Sequence, residues 1–292
     1  MANLKDIKRN IASVKNTQKT TRAMKLVSTA KLKRAEEVTK RSKEYANKLN
    51  IMMSEISDKI NKFKAGGSTL KFFAKNDSEK VIDIFFITAD KGLCGGFNIQ
   101  TIKQVLALTK EYEAKGCQVR LRAVGRKGVD FFTFKGMEVL EKYIGVSSSP
   151  TYEKAVDIVN KAVEDFVEGK CDKIILVHNG YKNMIIQELK TTTLVPVETI
   201  EVESKVASMM EIEAEDEEKV LEELVRKYIE YNMYYGLIDS LAGEHSARMQ
   251  AMDNATSNAK ERVEQLTVKY NKARQEAITT ELIEIISGME AL

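Results

Sequence analysis

The stretch from Leu221 to Ala277 reads LEELVRKYIEYNMYYGLIDSLAGEHSARMQAMDNATSNAKERVEQLTVKYNKARQEA. Within it Leu221, Leu224, Tyr228, Tyr231, Tyr235, Ile238, Ala242, His245, Met249, Met252, Thr256, Ala259, Val263, Leu266, Tyr270, Ala273 and Ala277 recur at alternating intervals of three and four. An unbroken heptad stripe has to lie against another helix, supercoiled left-handed, because no isolated helix can cover its own seam.

The other end of the chain offers the partner. Leu4, Ile7, Ile11 and Val14 stand in heptad spacing, followed by Val38, Tyr45, Leu49, Met52 and Ile56. Both prolines, Pro150 and Pro196, lie between the two stripes, and no glycine occurs before Gly66, so nothing interrupts either helix. Helices over roughly Asn3–Asn61 and Ile212–Ser287 are expected, about 90 and 110 Å long at 1.5 Å per residue. A compact middle segment would return the chain beside its start, making the two antiparallel. The seams then align with Leu4 opposite Tyr270, Ile11 opposite Val263, Tyr45 opposite Tyr228, and Leu49 opposite Leu224. Gln18 and Thr21 fall opposite Thr256 and Met252, the loosest part of the pairing. The longer C-terminal helix overhangs. Its apolar phase slips to Ile278, Leu282, Ile285, Met289 and Leu292, joined by Ile283 and Ile286. Such a tip fits an apolar collar on another chain, a homodimer contact or a frayed tail.

The middle changes period. Val81–Ala89 (VIDIFFITA), Gln118–Val124, Val139–Tyr143 and Lys173–Val177 read as short buried strands. Helical stretches near Asn98–Ala114, Arg126–Phe134 and Tyr152–Glu168 separate them. Strands alternating with helices imply a mostly parallel sheet. His178-Asn179-Gly180-Tyr181 reads as an Asn-Gly hairpin turn into an antiparallel strand at Met184–Leu189. The expected fold class is therefore α/β, a long antiparallel coiled coil of N- and C-terminal helices with an inserted Rossmann-like α/β domain. The expected division is residues 1–65 for the first coiled-coil helix, 66–208 for the α/β domain, and 209–292 for the second helix.

Composition limits the chemistry. No secretory signal is recognisable, and the longest apolar run, Val81–Ala89, is too short to span a bilayer and contains Asp83. Cys94, Cys117 and Cys171 show no CxxC spacing, and His178 and His245 are the only histidines. Neither a zinc site nor a disulfide framework follows, and a reducing, cytoplasmic setting fits best. The glycine-rich turn Asp90–Asn98 (DKGLCGGFN) stands after a strand and before a helix, where such folds bind phosphate. It matches neither GxGxxG nor GxxxxGK[ST], so nucleotide binding rests on position alone, against a structural turn packed closely on the coil. No catalytic constellation, cofactor site or metal site emerges.

The net charge of +3 hides two opposed segments. Lys5–Arg34 carries ten Lys or Arg against Asp6 alone, whereas Glu201–Glu223 carries ten acids against Lys205 and Lys219. The basic helix is a solvated face, a phosphate tracker or a surface for acidic protein partners. It lacks the interleaved aromatics that single strands require. A basic coiled-coil nucleic-acid-binding protein is the alternative to a protein-binding one.

Three segments, IKRNIASVKNTQKTTRAMKLVSTAKLKRA (Ile7–Ala35), ITADKGLCGGFN (Ile87–Asn98) and YNKARQEAITTELIEIISG (Tyr270–Gly288), resemble the gamma subunits of F-type ATP synthases. The likeness runs through essentially the whole chain. It implies a non-catalytic central shaft, one copy per complex, turning inside a hexamer of alpha and beta subunits. The α/β domain would rest as a foot on the membrane c-ring and contact an epsilon subunit. The loop Glu201–Glu213 is a candidate foot contact without an assignable residue. Ion flow through the ring would drive ATP synthesis, with hydrolysis running in reverse. The implied location is peripheral, on the cytoplasmic face of a bacterial cell membrane. The family's contact zone with the catalytic subunits maps onto Met24, Lys25, Arg248, Arg274, Gln275, Thr279, Glu281 and Glu284. Met24 would stand opposite Met249, beside Arg248. The apolar bearing maps onto Ile278, Leu282, Ile285, Ile286 and Met289. Photosynthetic relatives carry a regulatory cysteine pair in an inserted loop, and Cys117 and Cys171 do not reproduce it.

Overall fold

The computed structural model describes residues 4–63, 72–73, 79–197 and 217–290. Both terminal helices are present and uninterrupted: α1 spans Leu4–Phe63, 60 residues, and α5 spans Glu217–Glu290, 74 residues. Between them lie β1 (Val81–Ile87), α2 (Phe97–Ala114), β2 (Gln118–Val124), α3 (Arg126–Phe134), β3 (Glu141–Tyr143), α4 (Tyr152–Val167), β4 (Lys173–Tyr181) and β5 (Gln187–Val195). The loop Glu201–Glu213 and the expected boundaries at 65 and 208 lie outside the described residues. The chain divides into two compact units, Ala30–Ala247 and Met1–Thr29 with Arg248–Leu292.

In the larger unit the sheet runs β3-β2-β1-β4-β5. All neighbours are parallel except β4 and β5. Alternation along the strands builds two cores. Ile82, Ile84 and Phe86 of β1 join Ile102 and Val105 of α2 and Val129 and Phe132 of α3. Phe85 and Ile87 join Ile158, Val159 and Ala162 of α4 on the other face, with Val225, Ile229, Met233 and Leu237 of α5. A length of α5 thus serves as a layer of the sandwich. It is buried on the sheet side as well as along its heptad seam, which is why Val225, Ile229, Met233 and Leu237 sit off the stripe read from sequence.

Asp83 interrupts the apolar β1 because the same face carries two arginines of β2. Arg120 Nε and Arg122 Nε reach its two carboxylate oxygens at 2.5 and 2.8 Å. Arg122, wholly buried, also meets Glu141 and Asp165, each at 2.5 Å. Burial disfavours the charge on Arg122, yet the attraction of Asp83 and Glu141 outweighs it and raises the guanidinium pKa. Removing one partner from such a closed set strands a buried charge.

The Asn179-Gly180 pair is not a hairpin turn. It continues β4, and the reversal comes later, where Asn183 Oδ1 accepts hydrogen bonds from Ile185 N at 2.9 Å and Ile186 N at 2.7 Å. Met184, Ile185 and Ile186 are consequently exposed in the turn, and β5 begins at Gln187. Glycine is required at 180 by a close approach. A Cβ there would lie 2.1 Å from Asp239 Oδ2, and one on Gly243 would lie 2.5 Å from Asn179 O. The strand is stripped of a side chain so that α5 can lie on it. Asp239 then accepts from Tyr181 N at 3.1 Å and Lys190 Nζ at 2.7 Å, with His178 Nε2 at 3.1 Å. Burial alone would raise its pKa, but His178 and Lys190 together hold it below the usual carboxylate value.

The face that α1 buries in this unit is one position away from the expected one. Leu32, Ala35, Thr39, Ser42, Ala46 and Met53 are buried, whereas Val38 and Tyr45 are about half exposed. Alanine and serine let two backbones approach, and the larger neighbours are left on the flank. Tyr45 accordingly stacks on Tyr231, 4.4 Å between ring centroids, rather than meeting Tyr228.

Candidate partner interface of the paired helices

The second unit holds most of the residues expected to meet other chains. Here α1 and α5 run antiparallel, with Ile7, Ser28, Met252, Ala259 and Leu266 buried. The register lies about half a heptad from the expected one. Thr21 meets Thr256 rather than Met252, hydroxyl to hydroxyl at 2.7 Å. Lys25 Nζ meets Asp253 at 2.7 Å rather than facing Arg248. With one proton on each hydroxyl, one donates across the pair and the other to its own helix, either Thr256 to Met252 O at 2.7 Å or Thr21 to Gln18 O at 3.1 Å. The polar stretch expected to be loose is thus a set of paired hydroxyls, and a polar pair inside a seam specifies register more than it adds stability.

Met24 and Lys25 are half-buried beside this pair, and Arg248 is buried. Arg274, Gln275, Thr279, Glu281 and Glu284 are all exposed along the end of α5, with Thr279 Oγ1 donating to Gln275 O at 2.9 Å. The structure therefore brings Met24 and Lys25 together on α1 and Arg274 to Glu284 together on α5. Two exposed apolar residues beside Met24 escaped the sequence reading, Leu26 and Val27, at 63% and 56% exposure. They fall outside the heptad positions, and that mismatch was the available signal.

The residues expected to form the bearing are the plainest feature. Every residue from Ile278 to Met289 is exposed, and Ile278, Leu282, Ile283, Ile285, Ile286 and Met289 lie between 45% and 69%. Six large apolar side chains on consecutive turns of one helix end constitute an uncovered patch of the kind that marks a protein contact. Among the described residues no group of His, Cys, Asp or Glu is arranged to hold a metal, and no helix is long and apolar enough to cross a membrane. The three cysteines are buried, and among the described residues none forms a disulfide. Burial raises the Cys171 thiol to about 12.

Two terminal helices paired antiparallel, an α/β domain inserted between them and an uncovered apolar helix end define a coiled-coil subunit built to work among other chains. The ATP synthase family model matches residues 3–292. The ATP synthase gamma chain of a Nitratiruptor species is 62% identical over 293 residues, covering 100% of both chains. That of Campylobacter fetus subsp. fetus (strain 82-40) is 63% identical over 294 residues with the same coverage. This chain belongs to the ATP synthase gamma chain family. Its fold is also that of a chain in the central stalk and c-ring structure of Tetrahymena thermophila mitochondrial ATP synthase. There the TM-score is 0.61 at 22% identity, covering 81% of this chain and 99% of that one. A chain in the rotor structure of Euglena gracilis mitochondrial ATP synthase gives 0.63 at 15% identity, covering 94% and 98%. The nucleic-acid alternative for the basic helix has no support among these relatives.

Proposed function

We propose that the chain couples ion flow to ATP synthesis as the rotating central shaft of its complex, and that it carries no catalytic site itself. The reading rests most on the uncovered end of α5, where an apolar helix tip calls for a surrounding collar and supplies a bearing surface. In this reading the collar and the flanking contact zone belong to a hexamer of alpha and beta subunits. Leu26 and Val27 extend the zone proposed around Met24, Lys25, Arg248, Arg274, Gln275, Thr279, Glu281 and Glu284. The cationic α1 faces acidic loops of the catalytic subunits, a complementarity that favours orientation more than affinity. Residues 66–208 form the foot, resting on the c-ring with an epsilon subunit, at the cytoplasmic face of a bacterial cell membrane. The boundaries at 65 and 208 are part of the same proposal.

The mechanism needs only asymmetry. Two unlike helices present different side chains around the axis, so each catalytic subunit meets a different surface and its open and closed states are populated differently. Rotation redistributes those contacts and thereby product release. The test is direct observation of a bead attached to the α/β domain of this chain within a surface-fixed hexamer. ATP-dependent unidirectional turning is expected, and an immobile bead on an actively hydrolysing complex overturns the reading. Met24→Lys supplies the finer test: it places a charge in the contact zone while leaving the folded core alone. Ion pumping per ATP hydrolysed should fall more than the yield of assembled complex, and an equal loss of both removes Met24 from the zone.

A further inference from the structure

We propose that Asp90 is a built-in anion: its carboxylate takes the place a ligand phosphate would occupy at the head of α3, and so clamps the loops on which α5 is seated. Asp90 follows β1 and the donors it meets follow β2 and β3, so it bridges the C-terminal ends of three adjacent parallel strands, the edge of the sheet at which such folds receive anionic ligands. No side chain of the helix's own caps α3. Instead Asp90 Oδ1 accepts from Arg126 N at 3.0 Å and from Gly145 N at 3.1 Å, and Oδ2 accepts from Ser147 Oγ at 2.8 Å. Two backbone amides and a buried hydroxyl are the donor set that cradles a phosphate oxygen at a helix N-terminus, and here the chain supplies the acceptor itself. The position before α3 is open only to glycine, since Gly125 has φ +95 and a Cβ there would stand 1.9 Å from Thr88 O.

Three loops meet at this carboxylate: β1–α2, β2–α3 and β3–α4. Two of them touch the terminal helices. The β1–α2 loop carries Cys94 into a small core with Ala89, Phe97 and Ala247 of α5. Ser148 and Pro150 of the β3–α4 loop line a groove with Val38 of α1 and Ile238 and Leu241 of α5. Asp90 is thus a positioning residue for the seat of α5. The glycine-rich turn that opens with Asp90 is thereby tied to the head of α3.

Asp90→Asn and Asp90→Ala, made in the assembled complex, test this. In Asp90→Asn the amide oxygen keeps both backbone N–H groups and Nδ2 donates to Ser147 Oγ, so only the charge is lost and hydrogen exchange changes little, whereas Asp90→Ala removes the acceptor and exchange at Arg126 and Gly145 should accelerate by about tenfold, the loss of a charge-assisted hydrogen bond. In Asp90→Ala the place is empty, and added formate should restore slow exchange and the lost ion pumping per ATP. Formate should leave Asp90→Asn, where the amide fills the space, and the parent complex unchanged. Asp90→Ala exchanging like the parent, or indifferent to formate, overturns the proposal. Should Asp90→Ala fail to assemble, Ser147→Ala takes its place, with faster exchange at Gly145 expected and parental exchange refuting. The pumping readout rests on the shaft reading, but the exchange readout does not, so the two fail separately.

Discussion

Gly243→Ala tests the close approach of α5 to β4. A Cβ at 243 would stand 2.5 Å from Asn179 O, 3.2 Å from Gly180 C and 3.3 Å from Gly180 O, all backbone atoms of β4. Ordinary contact needs about 3.5 Å, so α5 would have to retreat by about 1 Å, since a strand inside a sheet cannot yield as a side chain can. The same retreat stretches the bonds at Asp239, which now lie at 3.1 Å to Tyr181 N and 3.1 Å to His178 Nε2. Overpacking costs about 1–3 kcal/mol, and weakening a buried hydrogen bond to a charged group adds about 1.5 kcal/mol or more. A destabilisation of about 2.5–4.5 kcal/mol follows, a lowering of the unfolding temperature by roughly 5–18 °C for a domain of this size. Thermal unfolding of the purified chain, followed by circular dichroism, reads it. Gly288→Ala is the internal control. That glycine is also helical, but its Cβ would meet nothing within 4 Å, so the same substitution should stabilise by about 0.5–1 kcal/mol through helix propensity. Equal small effects at both positions would refute the backbone contact between α5 and β4.

The buried carboxylate of Asp239 should make stability acid-sensitive. Its folded pKa is depressed, with His178 and Lys190 outweighing burial, so its contribution is complete above the unfolded value of about 3.9 and fades as pH falls through the lower folded value. Urea midpoints of the parent should drop below about pH 4, whereas Asp239→Asn should start less stable and show a flatter acid limb; parallel limbs would exclude this group as the source. At the tip, Leu282→Ser with Ile286→Ser removes two side chains that are 54% and 53% exposed in the free chain. The folded chain should scarcely notice. Retention in the hexamer should weaken by about 2–3 kcal/mol, half the transfer value of each residue, measured as the rate at which the chain is lost from diluted complex. An unchanged rate would leave the bearing without a role for these two residues.

Much of this fold was readable because its elements bury in the simplest way. The heptad stripe of α5 and the alternating middle elements gave the helix pairing and the parallel sheet, and β2 and α3 lie where the pattern placed them. Failures came where residues serve a neighbour rather than their own element. Asn179-Gly180 carries the local chemistry of a turn, but its glycine answers to Asp239, far along the sequence. The heptad pattern puts the α1 seam on Val38, Tyr45, Leu49, Met52 and Ile56, whereas packing selects Leu32, Ala35, Thr39, Ser42, Ala46 and Met53. Hydrophobicity ranks what gains from burial, but backbone proximity ranks what fits, and in a close helix pair the second criterion decides.

The candidate interface was legible for a related reason. An apolar side chain without a partner inside its own chain leaves a trace that sequence preserves, and the overhang of the longer helix points to the tip of α5. Leu26 and Val27 leave the same trace inside a helix whose seam lies elsewhere. Polar positioning groups leave none. Asp83 looks like an error in an apolar strand until Arg120 and Arg122 are folded beside it, and Asp90 looks like part of a ligand loop until Arg126, Gly145 and Ser147 converge on it. Both carboxylates satisfy donors distant in sequence: those of Asp83 lie on the face that α4 and α5 cover, and those of Asp90 tie together the loops that follow β2 and β3. A shaft that transmits torque needs its domain to hold α5 without yielding, and a fully satisfied polar network rigidifies the structure around it. The expectation is that substitutions at these polar ties degrade coupling at lower cost in overall burial than substitutions in the apolar cores.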